Sequence, residues 1–155
     1  MATKTQGTQL YLIDPQGDTV LAIVCVTSID GLDVTRDDIE TTCLEADDRT
    51  YEPGMKTPST LTFGVNFDVG EESHLRIEEL FQSGTTLPFA IGLSDGTSPP
   101  TVDSTGSAFD TPTSRTFILF SGYISSFPLS MPLNDVIRST IGVRVTGPRA
   151  LVPKV

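Results

Sequence analysis

The sequence has little of what catalytic and metal-binding domains are built from. Among 155 residues there is one histidine, His74, and there are two cysteines, Cys25 and Cys43. With no CxxC pairing and no Cys/His cluster, the chain offers no zinc site. Cys25 lies inside an apolar run and reads as a small buried hydrophobe. Bases are scarce, ten Lys and Arg against twenty Asp and Glu, which gives a formal charge of −10. Such a chain has no general attraction for phosphate backbones, which argues against ordinary nucleic-acid binding. Residues 1–8 lack an apolar signal core, and no apolar run is long enough to span a bilayer, so no membrane partner is expected. Phosphate-loop, GxGxxG, GxSxG and HExxH patterns are absent.

The few remaining candidates for chemistry read as structural. His74 sits near the apolar face of a predicted helix, as a packing or surface residue; catalysis would need a nucleophile and an orienting acid beside it. Asp47, Asp48 and Glu52 have the oxygens a calcium ion wants, but their spacing is not that of an EF-hand and Arg49 lies among them. They read as a solvated acidic loop, as do Asp37, Asp38 and Glu40 beside Arg36. Asp103-Ser104-Thr105-Gly106 resembles the Asp-Thr/Ser-Gly of aspartic proteases only with a serine inserted, and lacks flanking apolar residues. The expectation is a protein with no catalytic residues, metal or cofactor.

What the chain does contain is Thr, Ser, Gly and Pro, residues of strands and turns, and period-two alternation. Leu61, Phe63, Val65 and Phe67 point one way, with Thr62, Gly64 and Asn66 the other. Leu87, Phe89, Ile91 and Leu93 repeat this, and Ile137, Ile141, Val143 and Val145 share a face with Ser139, opposite Arg138, Thr140 and Arg144. Each reads as a strand with one core face. Residues 9–13 and 19–26 flank a hairpin turn at 14–18, the second strand apolar enough to be covered on both faces. Strands at 37–44 and 116–127 complete the set, with a bulge or bend at Gly122. Residues 71–82 read as a helix, with Glu71 and Glu72 in the first turn, Ile77, Leu80 and Phe81 on one face, and Gly84 as the stop. The fold class is mainly β: a β-sandwich or partial barrel of about seven to eight strands, one flanking α-helix (71–82), and long loops at 45–58 and 94–114. Structureless loops of that length are usually functional or disordered.

Charge is unevenly spread. Residues 1–56 carry eleven acids and four bases, and 57–114 carry eight acids and one base, whereas 115–155 carry five bases against Asp135 alone. Unlike patches on one surface favour head-to-tail contact between copies.

The order of several short segments resembles a known family. Gly7-Thr8-Gln9-Leu10-Tyr11-Leu12 is followed by Val24-Cys25-Val26-Thr27-Ser28-Ile29-Asp30-Gly31. Next come Asp38-Ile39-Glu40-Thr41-Thr42-Cys43-Leu44 and Arg49-Thr50-Tyr51-Glu52-Pro53-Gly54-Met55. This order, with the alternating strand at 61–67, the helix and the strand at 87–93, resembles the major tail tube proteins of lambda-like siphophages. The resemblance covers residues 7–94, and 115–146 agree with it as strands.

The resemblance implies one tail-tube domain over 1–155, without the C-terminal immunoglobulin-like domain that some members append. It implies a structural virion protein whose copies form hexameric rings by continuing their sheets, the rings stacking into a hollow tail. Its partners would be further copies of itself, the tape-measure protein, the tail terminator and the distal tail protein, with DNA as non-specific cargo during ejection. Assembly would take place in the host bacterial cytoplasm, the product residing in the virion tail. The 45–58 loop, with Asp47, Asp48, Arg49, Tyr51, Pro53, Gly54 and Met55, corresponds to the family's inter-ring contact. Asp38, Glu40, Thr42, Thr62 and Asn66, on polar strand faces, are candidates for the channel wall, where acids and neutral groups let DNA slide. Arg138 and Arg144 are candidate inter-subunit bases. Two alternatives remain open: an inner tube of a type VI or contractile system, and a small β-barrel ligand-binding module with its site under the 94–114 loop.

Overall fold

The computed structural model describes residues 2–155. Its eleven strands are β1 (Gln9–Asp14), β2 (Thr19–Ile23), β3 (Val26–Asp30), β4 (Val34–Glu40), β5 (Tyr51–Pro58), β6 (Thr60–Asn66), β7 (Leu87–Gly92), β8 (Thr101–Val102), β9 (Phe109–Asp110), β10 (Phe117–Ser126) and β11 (Arg138–Val152). Helix α1 spans Glu72–Ser83. Seven strands form one sheet in the order β2-β1-β7-β10-β11-β6-β3, while β4-β5 and β8-β9 are separate two-stranded hairpins.

The order of the main sheet dictates its shape. β2 and β3 lie at opposite edges, yet only Val24 and Cys25 separate them in sequence. Three Cα–Cα steps span at most about 11 Å, so the sheet must curl until its edges meet at that corner. β2 and β3 do not pair with each other, and the curled sheet stays open as a partial barrel. Away from the corner the seam widens into a cleft of about 810 Å³ beside residues 5–8, Ile91, Leu93 and Ile118.

The single strand expected at 19–26 is therefore two strands in two edge positions. Cys25 takes the left-handed conformation that turns the corner (φ 58°) and is exposed, not the buried hydrophobe its neighbours suggested. β2, being an edge strand, is only half covered: Thr19 and Ala22 face solvent. His74 fastens the corner. It is 1% exposed, and its Nδ1 accepts from the Asp68 N–H at 3.0 Å while its Nε2 lies 2.7 Å from the Val24 carbonyl, which fixes the proton on Nε2. With both ring nitrogens occupied and Phe67 stacked on it at 5.8 Å, His74 is a packing residue.

The inward faces follow the alternation in the sequence. Leu61, Phe63 and Val65 of β6 meet Val143, Ile141 and Ser139 of β11 in register, and Leu87, Phe89 and Ile91 enter the same core with Ile77 and Leu80 of α1. Phe89 stacks on Phe120 at 5.3 Å, worth about 0.5–1.5 kcal/mol beyond its burial. The helix ends as expected at Gly84 (φ 66°), whose N–H donates to Leu80 O. Gly122 lies where a Cβ would stand 2.4 Å from the Arg144 carbonyl, so the close β10–β11 approach requires glycine. Register shifts flank this residue on both sides, the irregularity expected in that strand.

Both long loops contain structure the sequence did not reveal. Of the expected loop 45–58, residues 45–50 remain a loop, but Tyr51–Pro58 is β5, paired with β4 from Val34↔Pro58 to Glu40↔Tyr51. Two prolines and a glycine erased the alternation there. The glycine has a physical role, since a Cβ on Gly54 would stand 2.7 Å from the Asp37 carbonyl at the bulge. The strand placed at 37–44 accordingly starts earlier, at Val34, and ends at Glu40. The 94–114 loop carries the small β8-β9 hairpin and covers a second apolar cluster of Tyr11, Ala90 and Phe117 through Phe109.

Candidate assembly surfaces

The β4-β5 hairpin leaves the body as an arm. Its base is clamped at Ser59, whose Oγ donates to the carbonyls of Gly31 (2.7 Å) and Asp33 (3.0 Å), and by Arg149 Nη1 donating to Leu32 O at 2.9 Å. Gly31 turns the chain into the arm with φ 81°, and a Cβ there would stand 2.7 Å from Thr60 O. The ladder runs on to Thr41 and Thr50, where the Thr41 N–H donates to Thr50 O at 2.9 Å and the Thr50 N–H to Thr42 Oγ1 at 3.0 Å. Beyond this rung the tip is a short turn, with the Ala46 N–H on Cys43 O.

Both faces of the arm are open. Ile39, Leu44, Tyr51 and Met55 are exposed, Met55 at 83% and Leu44 fully. A two-stranded hairpin without a covered face is at best marginally stable in water, so these side chains require a partner. The proposed contact residues divide between two places: Asp47, Asp48 and Arg49 in the tip, and Tyr51, Pro53, Gly54 and Met55 along β5. A second unpartnered apolar stretch joins β10 to β11, where Leu129, Met131, Leu133 and Val136 are exposed, Leu133 at 92%. Sequence reading passed over it because two prolines and no alternation make it resemble an ordinary loop.

The candidate wall residues do not form one surface within the chain. Asp38 and Glu40 lie on β4, and Thr42 just beyond it, all in the arm; Thr62 and Asn66 lie on β6 of the main sheet. Thr62 is opposite Gly142 of β11 and Asp30 of β3, and Asn66 is opposite Arg138. Cross-strand partners share a face, so the outer face of β3, β6 and β11 presents mainly Ser, Thr, Gly and Asn. On it, Arg138 pairs with Asp135 at 3.2 Å, whereas Arg144 has no carboxylate among the described residues and reaches Thr60 Oγ1 at 3.4 Å.

The largest fully buried side chain is one sequence reading did not single out. Arg115 is 0% exposed and forms no ion pair with a carboxylate among the described residues. Its Nε donates to Leu93 O (2.7 Å), Nη1 to Gln9 Oε1 (3.0 Å) and Tyr11 OH (3.2 Å), and Nη2 to Gly92 O (2.9 Å) and Gly7 O (3.2 Å). Tyr11 and Phe117 offer their ring faces at 5.9 and 5.6 Å. All five N–H groups thus tie the N-terminal segment and the start of the 94–114 loop to the sheet. Beside it, the Thr116 hydroxyl donates to Asp95 at 2.5 Å and its N–H at 3.0 Å, which holds the Asp95 carboxyl below the usual range. The loop is therefore fastened at its root. The sequence signal was that Arg115 is the sole base between Arg76 and Arg138.

No group of three or more His, Cys, Asp or Glu side chains among the described residues is arranged to hold a metal ion. The chemistry displayed is that of contact surfaces: an arm, an apolar loop and an outer sheet face.

Comparison with known proteins agrees with that reading. Residues 1–155 match the family of lambda-like phage tail tube proteins (TTP). The chain is 45% identical over 154 residues to structural protein 3 of Pseudomonas phage PAJU2, covering 97% of this chain and 94% of that one. Its fold is similar to the SPP1 tail tube protein (TM-score 0.70, 13% identity, covering 99% of this chain and 81% of that one). It is also similar to a chain in the tail of a gene transfer agent particle (TM-score 0.68, 13% identity, 97% and 99% covered). A chain of the sheath-tube complex of an extracellular contractile injection system is equally similar (TM-score 0.68, 14% identity, 98% and 92% covered). The chain belongs to the lambda-like phage tail tube proteins and is a structural component of the virion tail.

Proposed function

We propose that six copies of this chain close into a ring, and that rings stack into the hollow tube through which DNA passes during ejection. The observation that carries this reading is the arm. A clamped hairpin with both faces bare and exposed apolar side chains along it has no use in a monomer, and it projects from a fold of the tail-tube kind. In the assembly the arm reaches the adjacent ring, with the tip residues Asp47, Asp48 and Arg49 and the β5 residues Tyr51 and Met55 as contacts. Thr62 and Asn66 lie on an outer face of mainly small neutral groups that also carries Arg138 and Arg144; it suits a channel wall once those two cations are neutralised, because neutral groups give phosphates nothing to adhere to. Asp38, Glu40 and Thr42 belong instead with the arm's contact surface. Arg144 lies against acids of a neighbouring copy; Arg138, already paired with Asp135, has the weaker claim to that role.

The tube is built in the host cytoplasm on a tape-measure protein, between the distal tail protein and the terminator. It is of the non-contractile type, since the family that spans the whole chain is lambda-like. Sedimentation and negative-stain imaging of the concentrated purified chain, and of the tail it comes from, test the reading. Rings and tubes without a surrounding sheath are expected; a sheath would favour a contractile system, and a chain that stays monomeric in the assembled particle would refute it.

A further inference from the structure

The arm is electrically divided along its length, and its base carries a groove of opposite charge to its tip. Residues 37–52 contain seven acids against Arg49. At the base, Arg36, Lys56 and Arg149 line a groove of about 480 Å³ whose remaining walls include Val34, Pro58 and Pro148. Among the described residues none of these three cations is within ion-pairing distance of a carboxylate; the ion pairs present are Arg76 with Asp14 and Glu79, and Arg138 with Asp135. Arg36 and Arg149 each spend one N–H on a backbone carbonyl, Gly54 O and Leu32 O, which fixes the guanidinium while leaving donors over. Arg144 lies nearby, opposite Thr60, which follows the arm's return by two residues. In a chain of charge −10 this unpaired basic cluster lacks an internal partner.

The chain's own tip cannot supply one. The ladder runs from Val34↔Pro58 to the Thr41–Thr50 rung, interrupted by one bulge between Arg36 and Asp38. Five residue steps at about 3.3 Å each put that rung roughly 16 Å from Arg36, with the tip beyond it, and an antiparallel pair does not fold back on itself. Resting on the tube reading above, we infer that the groove at the base of each arm receives the acidic tip (Glu45, Asp47 and Asp48) of the arm of another copy. A contact between two different patches of the same chain is heterologous, so it propagates or closes a ring instead of ending as a dimer. It also sets register: tip against tip and base against base are both repulsive, so that only head-to-tail stacking is permitted.

The test is charge reversal with compensation, in the full chain. Lys56→Glu with Arg149→Glu, and separately Asp47→Lys with Asp48→Lys, are each expected to raise the concentration needed for tube formation by at least about tenfold, equivalent to about 1.4 kcal/mol. Thermal unfolding of the Lys56→Glu monomer and of the Asp47→Lys, Asp48→Lys monomer should be unaltered, and combining the four substitutions should restore tubes. Because Arg149 also holds Leu32, Lys56→Glu alone provides the readout should the double variant misfold; its ammonium is exposed at the groove. Reversals that assemble at the original concentration, or a combined variant no better than its parents, would overturn the inference while leaving the tube reading intact. The same holds if the reversed variants assemble normally and lose only DNA retention, since the groove would then serve phosphates. Failure of the unaltered chain to assemble at all would remove both.

Discussion

Replacing Arg115 by methionine removes five N–H donors from a site with no solvent and no counter-charge. The bonds to Gly92 O and Tyr11 OH are fully buried, and those to Leu93, Gly7 and Gln9 partly so. A buried acceptor left without a donor costs about 1–3 kcal/mol, while the partly buried ones regain water. Against this, the variant no longer buries a guanidinium, which offsets part of the loss. The balance is a destabilisation of about 2–4 kcal/mol. For a chain of this length, 1 kcal/mol moves Tm by about 2–4 °C, so a fall of roughly 4–16 °C is expected. Urea and thermal unfolding measure it, and amide exchange locates it: protection should fall at residues 5–8 and 93–98 before the β6–β11 ladder is affected. Gly92→Ala makes the same point from the other side, because its Cβ would stand 2.6 Å from Arg115 Cζ and push the guanidinium out of its bonds. Arg115→Lys, with three donors and no fork, should lie between the two. An Arg115→Met protein within about 0.5 kcal/mol of the parent, with unchanged exchange in both segments, would refute the reasoning.

Three other outcomes are expected. His74→Phe keeps the stacking on Phe67 but leaves the Val24 carbonyl and the Asp68 N–H without their partner; a loss of about 1–3 kcal/mol is expected in denaturant titration, with faster exchange at the β2–β3 corner. Burial alone would raise the Asp14 carboxyl, but bonds from Arg76 at 2.8 Å and from the Gln16 N–H outweigh it and lower its pKa below the ordinary aspartate value. The folded state then binds fewer protons than the unfolded, so this contribution is fully present above the unfolded value and is lost as pH falls through the folded one; Asp14→Asn should flatten that acid limb of the stability curve. In the arm, β5 amides paired with β4 should be protected in the monomer already, whereas the 43–49 tip should gain protection on assembly; a tip equally protected in both states would contradict its role as a contact.

The sheet faces were legible because one side of each core strand is buried: Leu61, Phe63 and Val65 could only point inward, and the helix declared its end with Gly84. What escaped the sequence was decided by groups with no pattern of their own. Cys25 lies in an apolar run, yet the curl of the sheet puts a corner there, and nothing local distinguishes a corner from a strand. β5 was hidden by Pro53, Gly54 and Pro58, residues that usually mark loops and here fit an arm whose edges have few constraints. Arg115 was invisible as a core residue because its partners are uncharged oxygens from two distant segments, residues 7–11 and 92–93. Thr62 and Asn66 face away from the core, as their alternation with Leu61, Phe63 and Val65 implies, while Asp38 and Glu40 lie on the separate β4-β5 hairpin. The contact role proposed for the arm rests on the order of short segments and on its exposed apolar side chains. Its base groove could not come from sequence, because Arg36, Lys56 and Arg149 are brought together only when β11 runs past the hairpin.

The most direct test of the central claim is a helical reconstruction, at side-chain resolution, of the tail built from this chain. Stacked six-membered rings are expected, in which each arm crosses to the next ring and its acidic tip lies in the groove formed by Arg36, Lys56 and Arg149 of another copy. Rings whose arms stay folded against their own subunit, or a tail whose tube is made of another chain, would contradict it.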